Sequence, residues 1–302
     1  MKKQFFRFLS VILCVLLTGC TTTEQDTVPV MIDSDSAMVS YLGPEGTYTQ
    51  EACGVFFEKQ GSYVPYQTVA LAVEALIAGQ SNYAVIPQEN TIGGAVIDYV
   101  DTLIGHTEVS VVGEVELPIN QNLLALPDTK LEDIQTVYSH SQGIAQGKAW
   151  LAEHLPQAEV IEVSSTAEGA RMLAEAQDPS CGAIASAACA DVYGLQILAA
   201  AIQNNDSNKT RFYVLSMDAP ATAPAERMAF VAMGKAASLP LLMKEMERQN
   251  MTLITIHDRP LKTELGEYFY LIECAGSNYE QYQKLTEKSE FTFRYLGSFD
   301  VR

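Results

Sequence analysis

The chain has 302 residues, 48% of them hydrophobic, and carries 19 basic against 37 acidic side chains for a formal charge of −18. That length and apolar content suffice for a full core and for two or three compact units. A surface this acidic excludes nucleic-acid binding through a basic patch, so an anionic ligand has to be captured by a few local groups.

Residues 1–19 read as a targeting segment. Lys2, Lys3 and Arg7 precede an apolar stretch, 8–17, broken only by Ser10, and Leu17-Thr18-Gly19-Cys20 closes it with small residues before a cysteine. The stretch is half the roughly 20 residues that a membrane span requires. It resembles a bacterial lipoprotein signal, which implies cleavage before Cys20, acylation of that thiol, and an exported protein that touches the membrane through its lipid alone. A short uncleaved anchor is the alternative. Removal of 1–19 leaves 16 basic and 37 acidic residues, a net of −21. Residues 20–37, rich in Thr, Asp and Ser, read as a flexible tether. Cys53, Cys181, Cys189 and Cys274 remain in the body without a CxxC pair, in helix-like or apolar stretches that favour buried free thiols; disulfides are the alternative in an exported protein. His106, His140, His154 and His257 have neither ligand spacing nor cysteine partners, so no metal site is expected.

The body opens with a strand, 38–42, a Gly43-Pro44-Glu45-Gly46-Thr47-Tyr48-Thr49 turn, and a helix to about 59. A helix over 69–79 leads to a buried strand, 83–86, stopped at Pro87, then to the polar turn Glu89-Asn90-Thr91-Ile92-Gly93-Gly94 and a helix through 103. An extended segment, 109–126, passes to a second subdomain of about 118–190. There strand 136–138 ends at Ser139-His140-Ser141-Gln142 before a helix carrying Gln146. Strand 159–163 ends at Ser164-Ser165-Thr166 before helix 167–175, and strand 182–185 meets Ser186 before another helix. Each polar cluster sits where a strand ends and a helix begins, where open α/β sheets place ligands. The chain then returns to Asn208-Lys209-Thr210-Arg211-Phe212, which sets a hydroxyl beside a guanidinium ahead of the apolar run 212–215. Arg211 offers a fork that matches a carboxylate, and Thr210 a donor for a departing oxygen. The expected fold is α/β, with two α/β subdomains around an interdomain cleft in the manner of periplasmic binding proteins. After Pro220 and Pro224, strand 227–233, helix 239–249 and strands 253–257 and 267–273 form a separate unit, 226–302, with ferredoxin-like order.

From residue 38 onward the ordered set of clusters resembles a prephenate dehydratase with a C-terminal ACT domain. The opening glycine motif, Glu89-Asn90-Thr91 with Thr in place of the family's Ser, a Ser-His-Pro-Gln motif here without its proline, Ser165-Thr166, and Asn208 through Phe212 carry the resemblance. It implies conversion of prephenate to phenylpyruvate, with loss of carbon dioxide and of the ring hydroxyl as water, and it implies no cofactor. Thr210 would assist the leaving hydroxyl; Asn90, Thr91, Ser139, Gln146, Ser165, Thr166 and Arg211 would bind the substrate. For the C-terminal unit the resemblance implies a homodimer or homotetramer with phenylalanine as effector at Ser238, Leu239, His257, Asp258, Arg259 and Pro260. His257 and Asp258 there replace the family's Glu and Ser, and Ala237-Ser238-Leu239 stands where the family has Gly-Ala-Leu. Arogenate is an alternative substrate, and a non-catalytic extracytoplasmic sensor lipoprotein is the alternative from another functional class.

Overall fold

The structure, a computed structural model, describes residues 32–276 and 278–302. The expected signal segment, Cys20 and most of the expected tether lie outside the described residues. The end of the expected tether is packed: Ile32 lies against a buried apolar cluster, Ala37 is buried, and the Ser62 N–H donates to the Ala37 carbonyl.

The first unit runs β1 (Met38–Leu42), α1 (Tyr48–Phe56), β2 (Ser62–Tyr66), α2 (Val69–Ile77), β3 (Tyr83–Asn90), β4 (Gly94–Ala95), α3 (Ile97–Gly105) and β5 (Ser110–Pro118). The second runs β6 (Asn122–Ala125), β7 (Thr136–Ser139), α4 (Ser141–His154), β8 (Glu159–Glu162), α5 (Thr166–Ala176), β9 (Cys181–Ala185), α6 (Ala187–Tyr193) and β10 (Gln196–Ala199). Strand β11 (Lys209–Ser216) returns to the first unit, and the C-terminal unit follows as β12 (Arg227–Lys235), α7 (Leu239–Arg248), β13 (Thr252–Pro260), β14 (Glu267–Ala275), α8 (Tyr279–Glu287) and β15 (Thr292–Phe299). Hydroxyls start the helices by accepting the orphan N–H groups of a first turn: Thr47 from Gln50, Thr68 from Leu71, Ser165 from Glu168 and Ser186 from Cys189.

The first sheet has the order β2-β1-β3-β11-β5, with β4 paired to β3. Strands β1, β2 and β3 are parallel, and β11 is antiparallel to both its neighbours. The second sheet, β10-β6-β9-β7-β8, joins a parallel β9-β7-β8 set to antiparallel β6 and β10. Its strands extend to Ala199, beyond the expected limit near 190, because β10 pairs as an edge on β6. Strand β3 runs through Pro87 to Asn90, past its expected end. It does so with a bulge: Thr210 pairs with Asn90, Arg211 with Glu89 and Phe212 with Pro87, which leaves Gln88 as the extra residue. A proline inside a central strand is tolerated at such a break in the ladder.

The C-terminal sheet, β13-β14-β12-β15, is antiparallel, and the expected strand, helix, strand, strand run is extended by α8 and β15 into a full ferredoxin-like βαββαβ order. Both α8 and β15 lie beyond 273, where the sequence reading placed no element. This unit is docked on the first sheet: Tyr99, Tyr213 and Leu215 share one buried cluster with Ala229, Val231, Leu271 and Phe299. The terminal residues continue the contact, with the Glu114 N–H donating to Asp300 and the Arg302 N–H donating back to Glu114. At this junction a side chain on Gly297 has no room, because φ is +143° and a Cβ would stand 2.3 Å from the Val111 carbonyl oxygen. Gly297→Ala is therefore expected to cost about 2–4 kcal/mol. Denaturant unfolding checks this, and an unchanged midpoint would contradict the close docking described.

Candidate active site

A cavity of about 410 Å³ lies between the two α/β units. Its wall is made where helices begin. Thr47, Tyr48 and Thr49 come from the start of α1, His140, Gln142 and Gly143 from the start of α4, and Ser164, Ser165 and Thr166 from the start of α5. Three helix N-termini thus face one space, and each supplies unpaired N–H groups and the positive end of its dipole. Among the described residues, none lining the cavity is Lys or Arg. Helix N-termini and hydroxyls of this kind suit an anion.

The floor brings together β3 and β11, and with them Asn90 and Thr210. The Asn90 Oδ1 accepts from the Ile92 and Gly93 N–H groups at 3.0 and 2.8 Å, which identifies the oxygen end of this amide. Its Nδ2 consequently points at β11, 2.9 Å from the Thr210 Oγ1, 2.7 Å from the Asn208 Oδ1 and 3.1 Å from the Lys209 carbonyl. The Thr210 oxygen accepts a hydrogen bond from Asn90, so its own O–H is left free to donate, and the residue lines the cavity.

Of the expected site residues, Asn90, Gln146, Ser165, Thr166 and Thr210 line the cavity. Ser165 does so while capping α5, so capping and lining coincide in one side chain. Three others are corrected. Thr91 is turned outward and ties its turn to β11, donating to the Ser207 carbonyl at 3.2 Å and accepting the Lys209 N–H at 3.0 Å. Ser139 is fully buried and donates to the Ile184 carbonyl at 2.7 Å; the first turn of α4 closes over it at Gly143, where a Cβ would meet the Ser139 Oγ at 2.5 Å.

Arg211 is the third correction. Successive residues of a strand face opposite sides of the sheet, so Thr210 and Phe212 line the cavity and Arg211 points away from it. Arg211 is 9% exposed, and its guanidinium is already committed. It forms a bidentate pair with Glu114 at 2.6 and 2.8 Å, a contact with Glu89 at 3.3 Å, and a close contact with Glu273 of β14. Burial opposes the charge on Arg211, but the bond to Glu114 and the fields of Glu273 and Glu114 outweigh it and hold the group protonated. Burial likewise raises the Glu114 carboxyl, against the pull of Arg211.

Gln121 and Tyr48 also line the cavity. Gln121 sits in the crossover between β5 and β6, where the chain alone offered only an irregular Pro118-Asn120 stretch. Its Nε2 donates to the Gln146 Oε1 at 2.9 Å, while its own Oε1 is buried without a partner. Tyr48 donates to the Asn120 carbonyl at 2.7 Å, and burial raises its phenol.

The residues expected to serve regulation are spread along the C-terminal unit. Ser238 lies at the start of α7 and Leu239 is its first residue, whereas His257 through Pro260 end β13. Two of them face the first unit: His257 packs edge-on against Tyr99 of α3, and Arg259 pairs with Asp101 of the same helix at 2.7 Å. Cys53, Cys181, Cys189 and Cys274 are buried free thiols, and burial pushes Cys189 up to about 11 and Cys274 up to about 12. Among the described residues no group of three or more His, Cys, Asp or Glu could hold a metal ion.

The placement of Arg211 separates two roles by experiment. Arg211→Met leaves Glu114 and Glu273 buried without their main cation and should lower stability by about 3–5 kcal/mol. Unfolding in denaturant measures the loss. Full stability with a raised KM would instead return Arg211 to substrate binding.

Residues 39–220 match the prephenate dehydratase family. The chain is 32% identical to the prephenate dehydratase of Bacillus subtilis, over 78% of this chain and 87% of that protein, and 32% identical to the bifunctional chorismate mutase/prephenate dehydratase of Aquifex aeolicus, over 86% and 73%. Among solved structures, the prephenate dehydratase from Arthrobacter aurescens in complex with L-Phe is similar, with a TM-score of 0.77 and 29% identity over 87% of this chain and 90% of that one. The chain belongs to the prephenate dehydratase family, lyases of phenylalanine biosynthesis that turn prephenate into phenylpyruvate.

Proposed function

We propose that the cleft binds prephenate by its two carboxylates at the N-termini of α1, α4 and α5 and expels the ring hydroxyl against Thr210. Heterolysis of the ring-carboxylate bond releases carbon dioxide, and its electron pair moves through the ring diene to break the carbon-hydroxyl bond. Aromatisation supplies the driving force, so the protein has to hold a reactive geometry and stabilise the departing oxygen. The observation that carries this reading is the Asn90 to Thr210 bond, which turns the threonine proton toward the cavity. A threonine hydroxyl is a weak acid, so it contributes a directed hydrogen bond, and the leaving hydroxide is protonated from solvent.

Arogenate is the second substrate to assay. It carries an ammonium where prephenate has a ketone, and the cavity-lining Gln121 has an Oε1 acceptor without a partner. We extend to this chain the L-Phe seen with the Arthrobacter aurescens enzyme, as an effector of the C-terminal unit. We also propose a homodimer or homotetramer, since β13 is an edge strand of its sheet and Leu253 on it is exposed.

The purified body, residues 21–302, should form phenylpyruvate from prephenate. Thr210→Val should lower kcat about 10²–10³-fold with KM within a few-fold of wild type. Parallel losses in both constants, or no turnover by the wild-type body, would overturn the role given to Thr210; adding L-phenylalanine to the same assay reads the effector.

We further propose that the mature protein begins at Cys20 and is lipid-anchored on the extracytoplasmic face. The order of charges, the apolar stretch and the terminal cysteine of residues 1–20 support this. Mass spectrometry of the protein from its natural host should find an acylated N-terminal Cys20, and Cys20→Ala should abolish labelling by a fatty acid. A chain starting at Met1 without lipid would refute it.

A further inference from the structure

The hydrogen-bonded pair at the reaction centre spans two strands, and the backbone ladder between those strands is broken beside it. Gln88 is the bulged residue of β3, next to Pro87, which has no N–H to give. A bulge leaves its extra residue unpaired and adds local twist, here two residues before the Asn90–Thr210 pair. Gln88 is nevertheless fully buried and fixed. Its carbonyl accepts the Val96 N–H at 2.8 Å, and its side-chain Nε2 donates to the Glu273 Oε2 at 2.9 Å.

Glu273 belongs to β14 of the C-terminal unit and is 1% exposed. The same Oε2 accepts the Tyr213 hydroxyl of β11, and the Oε1 contacts the Arg211 guanidinium. One carboxylate from outside the catalytic units therefore grips β3 two residues before Asn90 and β11 one and three residues after Thr210.

We propose that Glu273 is a positioning residue for the dehydration, clamping the bulged strand and β11 at the spacing that lets Asn90 aim the Thr210 hydroxyl. The C-terminal unit thereby completes the catalytic floor of its own chain. This rests on the role given to Thr210 above, and Thr210→Val measured alone tests that role separately.

Glu273→Gln keeps the shape of the side chain but sets an NH₂ group against a donor, because Arg211, Tyr213 and Gln88 all donate to it. In the full chain kcat for phenylpyruvate formation should fall about 10–100-fold, the scale of a small misplacement at a reacting centre, with KM within about two-fold. The diagnostic is the double variant. If Glu273 acts through Thr210, Glu273→Gln/Thr210→Val will be no slower than Thr210→Val; multiplying losses, or a loss confined to KM, would overturn the proposal. Should Glu273→Gln fail to fold, Tyr213→Phe removes one hydroxyl from the clamp and keeps the ring. It should lower kcat about three-fold in the wild-type background and leave it unchanged in Thr210→Val. Wild-type kcat in Tyr213→Phe would equally overturn the clamp.

Discussion

The arrangement depends on one buried guanidinium. Arg211 joins β11 to β5 through Glu114, to β3 through Glu89 and to the C-terminal β14 through Glu273, so three pieces of chain meet at one cation. Around it the charges do not cancel locally: Arg227 and Lys209 come in through Glu116, and Arg227 also approaches Glu273 at 3.7 Å. Such a cluster is expensive to bury, and it persists only with its members matched in geometry and hydrogen bonding. It therefore specifies how the units fit more than it adds to their stability. Apolar packing of Tyr99, Tyr213, Leu271 and Phe299 supplies the non-directional part of the docking.

The acidity of the protein and the charge of its substrate are reconciled by the same separation. In a chain with 37 acidic residues a mobile cation in the cleft would have carboxylates of the protein competing with the substrate for it. Backbone N–H groups at helix starts have no such alternative partner. They point where the helix fixes them, they do not titrate, and their cost of orientation is met on folding. Thr47 and Ser165 cap only one N–H each, and the first residues of α1 and α5 line the cavity. The site can thus be selective for an anion inside a strongly negative molecule.

Much of this was legible in the sequence, and what was not has identifiable causes. Polar clusters at strand-to-helix joints marked the cleft, because turn and cap chemistry is local: Asn90, Gln146, Ser165, Thr166 and Thr210 all line it. Arg211 and Ser139 were placed there by proximity in the chain, although a strand sends neighbours to opposite faces, and that period of two could have separated Arg211 from Thr210. Glu114 and Glu273 sit inside apolar strands, Ser-Val-Val-Gly-Glu-Val-Glu and Leu-Ile-Glu-Cys, where an acid signals a buried partner without naming it. The bulge at Gln88 left no sequence mark beyond Pro87, which read as the end of a strand. Gln121 was missed because it belongs to a crossover whose position only the tertiary fold sets. The final α8 and β15 carry mixed polar and aromatic residues without a clear period.

The departures in β13 fit the docking better than they fit a ligand pocket built on the family pattern. His257, where the family has Glu, packs edge-on against Tyr99 within the fields of Glu89, Arg211, Glu273 and Asp258. Burial holds its imidazole below the ordinary histidine range, so it presents a neutral ring at this contact. A glutamate there would add another negative charge beside Glu89 and Glu273, whose compensation by Arg211 is already shared with Glu114. Arg259 is drawn the same way, to Asp101 of α3, the helix that begins next to the cavity-lining Val96. The end of β13 is turned in part toward the catalytic units. Any ligand that shifts β13 must therefore work against contacts made to α3, the helix that begins beside the cavity, which couples the C-terminal unit mechanically to the catalytic units.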